Sequence, residues 1–221
     1  MLPIELRQAK VCDVDFLIEA IIEAEKSGSD KISYCTLFDL SEQELKAILR
    51  NILAEDIEGQ QLCISGFAVV CVGDKAVATC CSWIEGQDGM SSSIITGSLL
   101  GEYIPDLNFK IGAEKNDLLK SIHIEREKGS LQIESVYTRP EFRGKGFIRK
   151  LIQYHCKNKS ENQKGVDKIQ IIVAESNTSA FTAYQKMGFS ISNKVVGNSD
   201  LMKYLPSCSR LVLESKINLF I

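Results

Sequence analysis

One stretch constrains this chain more than any other. L-Q-I-E-S-V-Y alternates as a strand over 131–137, and E-F-R-G-K-G-F-I-R-K-L-I follows at 141–152. A strand that runs through a glycine turn into a helix presents free backbone N–H groups, because the first helical turn has unpaired donors and a partial positive charge. Glycine lets an anion reach that backbone, and Arg143, Lys145 and Arg149 add charge around it. Two familiar phosphate loops are excluded by the residues themselves. A Walker A loop fails because Gly146 follows Gly144-Lys145 and Arg139 stands where its first glycine belongs. A dinucleotide G-x-G-x-x-G fails because Arg149 occupies the third glycine position. A ligand-free structural turn and a different anion site both remain open from the turn alone.

The rest of the pattern is that of an α/β chain. I-E-L-R-Q-A at the start alternates as a short strand. Asp13 is placed to cap a helix whose apolar positions Val14, Leu17, Ile18, Ile21 and Ile22 share one face, with Gly28 ending it. A polar loop precedes Ser41-x-x-Glu44, a capping box opening a helix with Leu45, Ile48, Leu49, Ile52 and Leu53 on one side. F-A-V-V-C-V and K-A-V-A-T-C-C-S-W-I-E predict a hairpin turning at Gly73-Asp74. Residues 86–129 are the least legible, with an apolar patch at Ile94, Ile95, Leu99 and Leu100 and a helix expected near Asn116 to Glu127. After the glycine turn, Ile148, Leu151, Ile152 and Cys156 form a helix stripe that His155 also adjoins. K-N-K-S-E-N-Q-K-G reads as a connector to the apolar strand K-I-Q-I-I-V-A. Asn177 or Thr178 caps a further helix that stops at Gly188. Strands at F-S-I-S-N-K-V-V and R-L-V-L-E-S-K-I close the chain. The expectation is one domain over 1–221, with an insertion at about 86–129.

Composition removes several function classes. Hydrophobic residues make up 44% and charged residues 25%, the balance of a globular protein, and the net charge of −3 argues against a nucleic-acid binder. The eight cysteines contain no C-x-x-C and only two histidines accompany them, which points to reduced, buried thiols and no metal site. No apolar run has the length of a membrane span, so a cytoplasmic protein without a membrane partner is expected. The charge is unevenly spread: residues 13–58 carry twelve acidic side chains against four basic, and residues 139–221 carry fourteen basic against six acidic. Solvated helix faces explain this, and so does a molecule that meets an anion at one end and a cation at the other.

V-Y-T-R-P-E-F-R-G-K-G-F-I resembles the acyl-CoA-binding segment of the GNAT superfamily of N-acyltransferases, whose pattern Q/R-x-x-G-x-G/A falls here on Arg143, Gly144, Lys145, Gly146, Phe147 and Ile148. The resemblance continues in N-T-S-A-F-T-A-Y-Q-K-M-G-F at 177–189, similar to the second cofactor segment, and in R-Q-A-x-x-x-D at 7–13. It covers about residues 4–25 and 131–196. Two departures stand out: Ile148 holds the last motif position, usually Gly or Ala, and residues 86–129 are longer than the family's usual link.

The resemblance implies a mixed, mostly antiparallel sheet flanked by helices, with its fourth and fifth strands splayed. It implies acetyl-CoA as co-substrate. The pantetheine arm would lie along Val136, Tyr137 and Thr138, the pyrophosphate on the amides of Arg143 to Ile148, and Asn177 would touch the arm or orient its helix. Tyr184 becomes the candidate general acid for the departing thiolate. Glu134 is a candidate general base, on a face shared with Gln132 and Val136 by strict alternation; a solvated or paired carboxylate is the other reading, and a base acting through water a third. Trp83 reads as core or as acceptor-pocket wall. The expected activity is acetyl transfer to a primary amine of a small molecule, cationic and gathered at the acidic N-terminal side along Glu25 to Asp39. A non-catalytic acyl-CoA-binding sensor or scaffold is the alternative, and a homodimer is compatible with either.

Overall fold

The computed structural model of the protein describes residues 2–162 and 165–221. Its seven strands are β1 (Ile4–Gln8), β2 (Phe67–Val72), β3 (Lys75–Ile84), β4 (Leu131–Thr138), β5 (Lys168–Ala174), β6 (Ser190–Val196) and β7 (Ser209–Lys216). They form one sheet in the order β1-β2-β3-β4-β5-β7-β6, antiparallel except where β4 runs parallel to β5. The helices are α1 (Val14–Lys26), α2 (Ser33–Phe38), α3 (Glu42–Glu55), α4 (Ser92–Tyr103), α5 (Asp106–Ala113), α6 (Asn116–Lys120), α7 (Phe147–Asn162) and α8 (Thr178–Lys186).

The sheet separates two cores. On one face, α1, α3 and α4 cover Val69, Cys71, Cys81 and Trp83; on the other, α7 and α8 cover Val70, Ala78, Ile133, Ile171 and Leu213. Leu17, Leu45, Leu49, Ile52 and Leu53 are fully buried, as the helical spacing requires. Ser41 and Glu44 make the capping box reciprocally: the Ser41 hydroxyl accepts from the Glu44 amide at 3.2 Å, and the Glu44 carboxylate accepts from the Ser41 amide at 2.8 Å. Asn177 caps α8 by accepting from the Ala180 amide at 3.2 Å.

Several expectations need correction. Asp13 precedes α1 but makes no side-chain cap; its carboxylate accepts from the Lys10 amide at 2.8 Å and from Arg7 at 2.7 Å, serving the turn before the helix instead. The helix ends one residue earlier than Gly28 suggests, with Ser27 itself left-handed at φ +47°. The polar loop before Ser41 contains α2, too short to show a helical period. The connector K-N-K-S-E-N-Q-K-G begins as the last turns of α7, which runs on to Asn162; Gln163 and Lys164 lie outside the described residues.

Residues 86–129 fold into α4, α5 and α6, and the helix expected from Asn116 ends at Lys120. These pieces are tied to α2. Asn108 donates to the carbonyls of Phe38 and Asp39, both at 2.9 Å, and the Lys115 ammonium to that of Leu37. Leu37, Ile122, Leu201 and Leu205 form a third, small cluster joining α2, the insertion and the link between β6 and β7. Gly112 on α5 abuts Phe38 so closely that a Cβ there would lie 2.3 Å from the ring. Gly112→Ala should therefore destabilise the protein by about 1–2 kcal/mol, overpacking outweighing the helix-propensity gain of about 1 kcal/mol. The urea midpoint measures this; an unchanged or higher midpoint would show that the ring moves aside freely.

Candidate active site

The parallel ladder between β4 and β5 is short. It joins Leu131 to Ile169, Gln132 to Gln170 and Ile133 to Ile171, and then stops. Beyond Ile133 the two strands part, and a cleft of about 1230 Å³ opens between them. Every site residue singled out in the sequence, from Glu134 through the glycine turn to Tyr184, lines this cleft.

A bulge shapes its floor. Tyr137 faces Thr79 and Glu134 faces Cys81, so Ser135 and Val136 together stand opposite Cys80. Ser135 takes φ +50°, a left-handed conformation uncommon outside glycine, and the alternation of β4 is reversed past it. The expected shared face is corrected accordingly. Glu134 keeps the α1 side with Gln132, but Val136 packs against the α7 core, and Tyr137 takes the α1 side in its place. Tyr137 is fixed there by its hydroxyl, which donates to Glu19 at 3.0 Å, while Arg139 holds the same carboxylate at 2.6 Å. The Arg139 and Tyr137 hydrogen bonds keep the Glu19 carboxyl below its ordinary range despite partial burial.

At the mouth of α7, the amides from Gly144 to Arg149 have no hydrogen-bond partner among the described residues. Gly144 and Gly146 have φ of +75° and +74°, and nothing lies within 4 Å of the Cβ that either lacks. The turn is thus a row of bare donors facing open space. Lys145 lies over the Phe142 ring at 4.7 Å, and the Arg143 Nε donates to the Thr138 carbonyl at 3.2 Å. Phe147 occupies the core, whereas Ile148 is half-buried, packing on the core edge while lining the cleft. The Thr138 hydroxyl is buried without a partner. An orphaned polar atom beside two parted strand edges and an open nest of amides fits a long, amide-bearing ligand ending in phosphates.

Tyr184 is buried, its ring set edge-on to Phe189 at 5.9 Å. Its hydroxyl has no hydrogen-bond partner among the described residues, and burial pushes the phenol well above its ordinary range. It is a neutral donor at pH 7. Glu134 accepts from Arg126, which also donates to Gln132 at 2.5 Å and lies over the Trp83 ring at 5.0 Å. The paired reading of Glu134 is thus the observed arrangement. Trp83 is core: 2% exposed, its indole N–H donates to buried Glu85 at 2.9 Å. Its effect on the cleft passes through Arg126.

Sequence reading did not single out the cleft residues Arg126 and Arg210, whereas Glu25 and Tyr34 belong to the stretch it expected there. Arg126 is in the illegible insertion and Arg210 reads only as the start of a strand. The cysteines offer no nucleophile. Five of the eight (63, 71, 80, 81 and 156) are buried, and burial pushes the Cys156 thiol up to about 12. His155 is a core residue. Its Nε2–H donates to the Cys80 carbonyl at 3.1 Å, so its Nδ1 accepts from Ser82 at 2.8 Å, and burial lowers it to about 4. Among the described residues no cluster of histidine, cysteine and carboxylate side chains could hold a metal ion.

The family model for the acetyltransferase (GNAT) family matches residues 37–189. This chain belongs to that family. It is an acyltransferase, and its family draws the acetyl group from acetyl-CoA. No curated protein sequence matches it. Among solved structures, an N-acetyltransferase from Staphylococcus aureus Mu50 superposes with a TM-score of 0.66 at 15% identity, over 96% of this chain and 100% of that one. An apo agmatine N-acetyltransferase variant gives 0.56 at 12% identity, over 96% and 99%. A spermidine N-acetyltransferase chimera from Vibrio cholerae gives 0.51 at 15% identity, over 98% and 97%. At these identities the likeness is one of fold.

Proposed function

We propose that this GNAT protein transfers an acetyl group from acetyl-CoA to the primary amine of a small molecule by direct attack, with residues 1–221 acting as one domain. Eight unpaired cysteines suit a reducing, cytoplasmic setting. The carrying observation is the Tyr184 hydroxyl, partnerless in the cleft where β4 and β5 part. The amides of Gly144 to Ile148 hold the pyrophosphate, the expected Arg143 amide being taken by the Pro140 carbonyl at 3.3 Å, and the backbone of Val136, Tyr137 and Thr138 pairs with the pantetheine arm. Asn177 orients α8 and so Tyr184. As the amine nitrogen bonds to the acetyl carbon and the C–S bond breaks, the Tyr184 proton passes to the sulfur and a base takes the ammonium proton.

Glu134 serves as that base directly or through water. A second candidate is supported by its surroundings. Glu25, half-buried at the end of α1, bonds Ser33 and is raised to about 7 by burial, with Glu134 adding to the shift and Arg210 opposing it. Tyr34 and Cys35, both on α2, are the other titratable groups that feel its charge. A base must be deprotonated, so kcat/KM should climb as pH rises through about 7 if Glu25 has this role. Glu25→Gln should erase that limb, and Glu134→Gln should keep it but move it to lower pH, since the Glu134 charge helps to raise Glu25; loss of the limb in Glu134→Gln alone assigns the base to Glu134. The readout is free thiol released from acetyl-CoA in the presence of primary amines. Acetyl-CoA binding without thiol release from any amine would overturn the transfer reading in favour of a sensor.

A further inference from the structure

The acidic surplus of the N-terminal half is largely spent away from the cleft. A groove of about 340 Å³ between α1 and α3 gathers Asp15, Glu19, Glu23 and Glu42. Each is ion-paired, with Arg50, Arg139, Lys26 and Lys46 respectively. In the cleft itself, Glu134 and Arg126 satisfy one another. Among the half-buried charged side chains of the cleft two are left without an ion pair, Glu25 and Arg210; the cations Lys145, Arg149 and Lys186 that also line it are exposed. The Glu25 carboxylate has the Ser33 hydroxyl near it but no ion pair, and the Arg210 side chain has neither a hydrogen bond nor an ion pair among the described residues. They feel each other's field without meeting.

Arg210 is placed firmly. Its backbone lies between Ala174 of β5 and Val195 of β6, and Leu211 beside it packs into the α7 core. Alternation therefore sends Arg210 to the other face, toward Leu205, Pro206 and α2. A half-buried guanidinium with no protein acceptor loses hydration without recompense until an oxyanion arrives. Its planar fork matches a carboxylate with two parallel hydrogen bonds. Opposite it, Glu25 and Ser33 offer acceptors to an ammonium. A cleft wall with one half-buried positive and one half-buried negative group left unpaired, held apart, is complementary to a molecule that carries both charges.

We infer that the acceptor is an amino carboxylate, its carboxylate bound by Arg210 and its amine directed toward Glu25. This rests on the acetyl-transfer reading of the cleft and adds to it the class of acceptor. It narrows the cationic acceptor expected from the sequence to a zwitterion.

The test measures thiol release from acetyl-CoA with three sets of amines: amino carboxylates of increasing chain length, their methyl esters, and the polyamines spermidine and agmatine. The wild type should prefer a free amino carboxylate over its ester. Arg210→Gln should raise KM for that acceptor about 10- to 100-fold, the range of a lost charge-assisted hydrogen bond. KM for acetyl-CoA, KM for the ester and the melting temperature should stay as they are. Arg210→Lys should recover part of the loss, which a purely structural role for Arg210 would not predict. Preference for polyamines or esters, with Arg210→Gln neutral or beneficial, overturns the inference while leaving acetyl transfer intact. No thiol from any amine defeats both.

Discussion

Acetyl-CoA at a hundredfold excess over its dissociation constant should raise the melting temperature by about 5–10 °C, the equivalent of about 2.7 kcal/mol for a chain of this size. Gly146→Asp should abolish that shift. The turn offers bare amides from Gly144 to Arg149, and Gly146 faces open space at φ +74°. Asp tolerates a left-handed backbone better than most residues, so the variant places a negative charge into the anion nest at modest steric cost. Gly146→Asn is the control, with nearly the same shape and no charge, and should retain part of the shift. A wild-type protein whose melting is unmoved by acetyl-CoA, with no heat of binding by calorimetry, would remove the turn as the cofactor site. Gly146→Asp and Gly146→Asn behaving alike would assign the loss to strain.

Tyr184→Phe should lower kcat by about 10²- to 10⁴-fold, the usual worth of general acid catalysis. The substitution removes one hydroxyl and keeps the ring against Phe189. Acetyl-CoA affinity and melting temperature should therefore hardly change, which separates loss of a proton donor from loss of packing. Because burial raises the phenol well above its ordinary range, the wild-type rate should show no falling limb from Tyr184 ionisation below about pH 10. An unchanged kcat in the variant, with chemistry shown to limit the rate, would take Tyr184 out of the mechanism.

Much of this fold was readable because the patterns are long or carry distinctive residues. The stripes of α1 and α3, the capping box at Ser41 and Glu44, the hairpin at Gly73 and the glycine turn each combine a period with a cap or a φ requirement. The proposed cofactor half of the site inherits that legibility, since backbone donors at a helix mouth need glycine and leave a mark in the sequence. What was not readable depends on contacts between distant segments. The bulge at Ser135 arises from pairing with β3, so alternation along β4 alone misplaced Val136 and Tyr137. Helix α4 packs on α3 while α5 meets α2 and α6 meets the β6–β7 link, and α5 and α6 are too short to show a stable period. Whether Glu134 was free or paired stayed open in the sequence because its partner, Arg126, lies in that segment. Arg210 carried no local signal.

The third hydrophobic cluster has a consequence for ancestry. Leu37, Ile122, Leu201 and Leu205 come from stretches far apart in the chain, and around them stand α2, the insertion and the β6–β7 link, which line the side of the cleft proposed for the acceptor. The cofactor side rests instead on the α7 core. Substitutions, or whole exchanges of the insertion, can thus accumulate around that small cluster while the acetyl donor's berth is inherited unaltered. Under the proposed function, selection could trade one amine for another without rebuilding the machinery that activates the acetyl group.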